Sequence, residues 1–156
     1  AVGKLNEYLR QYSDWDVVVK NLEDFKEFRQ NNPTISLNVN SAVSIFNINK
    51  TKELVDYFKS HDIHIYLNPV MWPEQQSVCN LTDFRKKLLL DNHGVSGKVK
   101  HLLTDKISFW DHNINNDENF NQKMICQLEA VDKFYSKYLK DYNKEMYDIL
   151  YKKEPK

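Results

Sequence analysis

Two short strand patterns separated by one amphipathic helix constrain this chain more than any other feature. Ile35, Leu37 and Val39 alternate with Ser36, Asn38 and Asn40, a period of two over residues 34–40. A helix over 51–60 follows, with Leu54, Val55 and Phe58 on its buried side. The second strand, 63–67, stops at Asn68-Pro69. Ahead of both, Ser13 reads as an N-cap, with Asp14, Trp15 and Asp16 in the first turn of a helix. Val18, Leu22, Phe25 and Phe28 make one face of that helix, which ends before Asn31-Asn32-Pro33. Helix, strand, helix, strand with short joints predicts parallel strands joined by a right-handed crossover helix. Two such strands are an incomplete sheet, because parallel strands need both faces covered and neighbours on their edges.

The second half reads as helical. A long loop over 68–80, with two prolines and Trp72, leads to a helix capped by Thr82 that reaches about Asn92, with Gly94 at its stop. A further helix is expected over 97–110. Apolar or aromatic residues at Phe120, Met124, Leu128, Val131, Phe134, Tyr135, Tyr138, Tyr142 and Met146 give helical spacing over 117–151, as one helix or two joined by a bend. The expected fold class is α/β: a partial parallel sheet, half-barrel-like βαβ, followed by a C-terminal helical region. Residues 1–80 would form the partial barrel segment and 81–156 a helical extension packing on it.

Composition narrows function mainly by exclusion. At 156 residues and 41% hydrophobic content one domain with a sizeable core is expected. Lys plus Arg balances Asp plus Glu at 22 each, so the electrostatic footprint of a nucleic-acid binder is missing. No run approaches the roughly 18 apolar residues of a membrane span. Lys outnumbers Arg by 19 to 3 and Gly occurs only 3 times, which reads as an A/T-rich genome and not as a binding surface. Cys79 and Cys126 lie far apart and form no C-x-x-C pair, so they are expected to be reduced and buried, in a cytoplasmic chain. His61 and His64 bracket the start of the second strand and cannot share one strand face, which argues against a metal site. Asp111-His112 beside Trp110 reads as a polar turn before an acid–base pair. The same-face amides Asn38 and Asn40 are either solvated, as in an open sheet, or turned inward toward a polar ligand, with Asn47 and Asn68 near the strand ends.

The order of motifs resembles one family. Glu7-Tyr8-Leu9-Arg10, Ser13-Asp14-Trp15 and Val18 are similar to the segment E-Y-(I/L)-R-x-G-(S/T)-D-W-x-x-V of radical S-adenosylmethionine enzymes of the twitch-domain type. Thr34-Ile35-Ser36-Leu37-Asn38-Val39, Val43-Ser44-Ile45-Phe46-Asn47, Tyr66-Leu67-Asn68-Pro69-Val70, Trp72-Pro73 and Asn80-Leu81 follow in the family's order. The resemblance covers about residues 3–90 and, more weakly, Leu128 to Phe134. It departs in two places. Gln11-Tyr12 stands where a Gly is usual, and the C-x-x-x-C-x-x-C that holds the four-iron cluster has no counterpart.

The resemblance implies the C-terminal part of such an enzyme, inactive alone because the cluster motif is absent. It implies no catalytic residue and no metal ligand here, and S-adenosylmethionine contacts at Asn38, Asn40, Asn47 and Asn68. No cofactor is expected for this chain alone; S-adenosylmethionine and an iron–sulfur cluster are expected if the missing N-terminal half is supplied. The alternative is a non-catalytic interaction module that oligomerises through a strand edge or its helices. The partner is accordingly a second copy or the missing half, with neither nucleic acid nor membrane involved.

Overall fold

The structure, a computed structural model, describes residues 1–104 and 118–153. Two strands, β1 (Asn38–Val43) and β2 (His64–Pro69), pair in parallel, with Asn38 opposite His64, Asn40 opposite Tyr66 and Ala42 opposite Asn68. α1 (Gly3–Leu9) and α2 (Trp15–Asn31) precede them, and α3 (Thr51–Ser60) makes the crossover. The fold is therefore mixed α/β with a small parallel sheet, as the alternating pattern predicts. α4 (Asp83–Leu90), α5 (His101–Thr104), α6 (Glu118–Tyr135), α7 (Leu139–Tyr142) and α8 (Lys144–Tyr151) follow. Trp110, Asp111, His112 and the end of the helix expected over 97–110 lie outside the described residues. Among the described residues no helix is long and apolar enough to cross a membrane.

Both strands sit later than their hydrophobic alternation suggests. The chain leaving α2 first closes a turn, Ile35 N–H donating to Asn32 O at 3.0 Å, so Ile35 stays exposed and β1 begins at Asn38. Pairing then runs to Pro69, and Val70 N–H donates to Val43 O at 2.8 Å just beyond it. The cap of α2 is Asp14, not Ser13. The Asp14 carboxylate accepts from the N–H groups of Asp16 (2.9 Å) and Val17 (3.4 Å), while the Ser13 hydroxyl donates to Asn6 Oδ1. Leu22 alone of the expected apolar face is half-buried; Val18, Phe25 and Phe28 remain exposed, because a two-stranded sheet is too narrow to cover the whole helix.

The tail bends twice. Ser136 takes a left-handed φ of 53°, the Asp132 carboxylate accepts the Leu139 N–H at 3.0 Å, and the helix restarts as α7. Asn143 then caps α8 by accepting the Met146 N–H. These local captures of backbone donors explain why continuous helical spacing gives three helices. Thr82 caps α4 as expected. Cys126 is exposed and Cys79 half-buried, so the expected burial of both thiols is corrected; both are free.

The main core joins the end of β1 and the segment after it (Val43, Ile45, Ile48) to Leu89, Leu102, Met124, Leu139, Met146 and Leu150. A smaller one, Leu54, Phe58, Ile63 and Ile65, fills the space between α3 and the sheet. The loop after α4 stitches the two together: Lys52 N–H donates to Gly94 O and Ser96 N–H to Thr51 Oγ1, both at 2.9 Å. Gly94 lies so close to the Asn49 carbonyl that an added Cβ would fall 1.9 Å from its oxygen. Gly94→Ala must therefore displace backbone, and the expected loss is about 1–3 kcal/mol in urea unfolding. An unchanged midpoint would show that the loop gives way freely.

Candidate functional site

A cavity of about 490 Å³ opens beside β1, along Val39 to Ala42 and the turn that follows, on the edge that β2 does not cover. Its floor is apolar, Leu54 and Phe58 from α3 with Val39 from β1. Leu128, Val131 and Tyr135 of α6 close one side, and Trp15 and Val18 of α2 another. Polar groups enter from three directions: Asn6, Arg10 and Gln11 from the end of α1, Asn40 to Asn47 from β1 and its following turn, and Gln76 and Gln127 from the Glu74–Gln76 turn and the α6 helix packed against it. A mostly apolar concavity with a few converging polar groups is the usual form of a small-molecule site.

Local sequence explains the frame. Asn47 folds the turn after β1 onto itself, its Oδ1 accepting from Ser44 N–H at 2.9 Å and its Nδ2 donating to Ala42 O at 3.0 Å. Gln76 is placed by a short turn whose carbonyl accepts the Ile45 N–H at 3.0 Å. The end of α1 is tied to α6 by the buried Tyr8 hydroxyl, which donates to the Asp132 carboxylate at 2.6 Å while its ring stacks on Tyr142. Glu7, one turn before Arg10, is engaged with Lys4 at 2.9 Å and with the Trp15 N–H at 3.1 Å, which hold its carboxyl below the ordinary range.

The four expected asparagines separate. Asn40 and Asn47 line the cavity, Asn38 and Asn68 do not. Asn38 and Asn40 lie exposed on one sheet face, as their spacing implied; Asn68 joins them, its Nδ2 donating to Asn40 Oδ1 at 3.4 Å. Asn47 has both amide atoms engaged in its own turn. His61 bonds the Tyr57 carbonyl at 2.7 Å and His64 packs edge-on against Tyr66. Among the described residues no group of three or more His, Cys, Asp or Glu could hold a metal ion. Sequence reasoning passed over Arg10, Gln76 and Gln127. The signal available for Arg10 was its rarity, one of 3 Arg against 19 Lys.

Burial, with the bond to Asp132 as the next cause, pushes the Tyr8 phenol far above the ordinary tyrosine range; burial and Glu129 do the same for Tyr151. A tyrosine ionises near pH 10 in the unfolded chain (about 10). Because the folded values are raised, their contribution is complete below that pH and is lost as pH climbs above it. Stability measured in urea is expected to fall from about pH 10 upward. Tyr8→Phe should make that alkaline slope shallower; an identical slope would remove Tyr8 from the linkage.

Comparison with family models, with curated proteins and with solved structures gives no match for the chain.

Proposed function

We propose that the chain forms the late-strand wall of a radical S-adenosylmethionine-type barrel, a half-barrel completed by a separate segment that carries the three-cysteine motif. The observation that carries this reading is the uncovered edge of β1. Val43 turns its carbonyl toward Val70, on the β2 side. Peptide groups alternate sides along a strand, so those of Asn38 and Asn40 face away from β2 toward the open edge, while the Ala42 carbonyl on that side is taken by Asn47 Nδ2. A further parallel strand would pair there, and its covering helix would meet the exposed Val18, Phe25 and Phe28 of α2. Tyr12 adds support. It adopts φ 66°, a left-handed conformation that favours glycine, at the position where the resembling family has one.

The chain's own thiols do not suit a four-iron cluster, since Cys79 and Cys126 are two where three are needed and sit on separate elements. No reaction step is therefore assigned to this chain. Its contribution on this reading is orientation: the exposed carboxamides of Asn38, Asn40 and Asn68 are neutral donors and acceptors that hold an adenosyl group without moving a proton. Asn47 shapes the turn beside them instead. The test is anaerobic reconstitution of the chain alone and of the chain joined to the segment encoded directly upstream. Cluster assembly at about four irons and S-adenosylmethionine binding are expected for the joined product alone. An upstream segment without the motif, or a joined product that stays colourless, overturns the reading.

The exposed α2 stripe favours a second reading, in which another copy of the chain covers it. Phe25 and Phe28 are 59% and 52% exposed on a helix that otherwise reads as half of an interface. Light scattering would then give a dimer that dissociates on dilution, and Phe25→Asp with Phe28→Asp would give monomer. A single species near 18.6 kDa at every concentration ends this reading.

A further inference from the structure

We infer that the cavity beside β1 binds a small organic anion with a flat apolar body, gripped by Arg10 and flanked by Gln76 and Gln127. The inference stands on the cavity's own chemistry and does not rest on the barrel reading, whose added strand would take the same edge of β1.

Three observations converge. The first is charge. Among the described residues no Asp or Glu lines the cavity, and Arg10 is the one cationic side chain that does. The second is the state of the arginines. Arg29 pairs with Asp62 at 3.1 Å, and buried Arg85 donates to the Leu150 carbonyl at 2.9 and 3.2 Å. Arg10, by contrast, makes no side-chain hydrogen bond or ion pair with any described residue, and the nearest acidic neighbour in sequence, Glu7, is already engaged by Lys4 and Trp15. In a chain that otherwise uses Lys for exposed positive charge, an Arg without an internal partner is a planar fork available to an oxyanion. The third is the carboxamides. Gln76 and Gln127 are half-buried on neighbouring elements, the short turn over Glu74–Gln76 and the α6 helix packed against it, and neither side chain bonds another described residue. Half-buried amides with no internal partner have donors and acceptors to offer a ligand.

The walls set the rest of the ligand. Trp15, Phe46, Phe58 and Tyr135 give aromatic and apolar surface, and about 490 Å³ admits a bicyclic molecule. A carboxylate, sulfonate or phosphate on a flat body fits this combination. A cation would meet Arg10 with no carboxylate to balance it.

The probe is 1-anilinonaphthalene-8-sulfonate, compared with its uncharged relative N-phenyl-1-naphthylamine, titrated into the full chain by fluorescence. One sulfonate probe per chain is expected, bound at least about tenfold more tightly than the neutral one, the difference that one charge-assisted fork supplies. Arg10→Gln should remove that preference and leave the neutral probe's affinity unchanged, whereas Arg10→Lys should retain part of it. Side-chain amide resonances of Gln76 and Gln127 should shift with the same saturation curve, a readout independent of any change in fold. Equal binding of the two probes, an unchanged preference in Arg10→Gln, or shifts confined to the Phe25–Phe28 face of α2 would each overturn the proposal. So would failure of the folded chain to bind the sulfonate probe.

Discussion

The fold hangs on a pair of buried carboxamides 94 residues apart in the chain. Asn49, just past β1, and Asn143, ahead of α8, each donate to the other's oxygen at 3.0 and 2.8 Å. Asn143 also donates to the Phe46 carbonyl and caps α8, and the Glu145 carboxylate accepts from Asn49 and from Asn92. One cluster thus ties the segment after β1, the loop after α4 and the last helix. In a dry interior each of these bonds is electrostatically stronger than in water, and loss of one partner leaves the other unsatisfied at about 1–3 kcal/mol. The apolar residues around it supply most of the driving force without direction; the amides choose which helix packs where.

The cavity follows from that arrangement. Fastening the tail at Asn143 and again at Tyr8–Asp132 holds α6 against the end of α1, across from the sheet. β1 is then left with one edge that no described strand pairs, where Asn47 takes the Ala42 carbonyl, and a concave space between it and α6. Side chains could have filled the space, yet Arg10, Gln76 and Gln127 enter it without a bond to a described residue, while Asn6, Gln11 and Asn47 are tied to nearby backbone.

Much of the architecture was legible because it rests on local periodicity. The alternation of Ile35, Leu37 and Val39, the Leu54–Phe58 face and the stop at Pro69 lead directly to a parallel pair crossed by a helix. Thr82 announced α4 through its side chain alone. Boundaries moved where a neighbouring bond competed with the pattern: Asn32 captured the Ile35 N–H, and Asp14 outbid Ser13 for the start of α2 because the Ser13 hydroxyl turned to Asn6. Of the site, Asn40 was legible as a lining residue, whereas Asn47 was engaged by its own turn.

By itself the sequence determined the element types, the parallel sense of the two strands and the want of a third thiol, since each depends on residues a few positions apart or on a simple count. Only the tertiary structure decided that Arg10, Gln76 and Gln127 share one cavity, that Phe25 and Phe28 stay uncovered, and that the tail breaks at Ser136. Those outcomes depend on which buried donors and acceptors find each other across the chain. Periodicity carries no record of such pairings, because a side chain's partner is set by packing in three dimensions and not by its spacing along one.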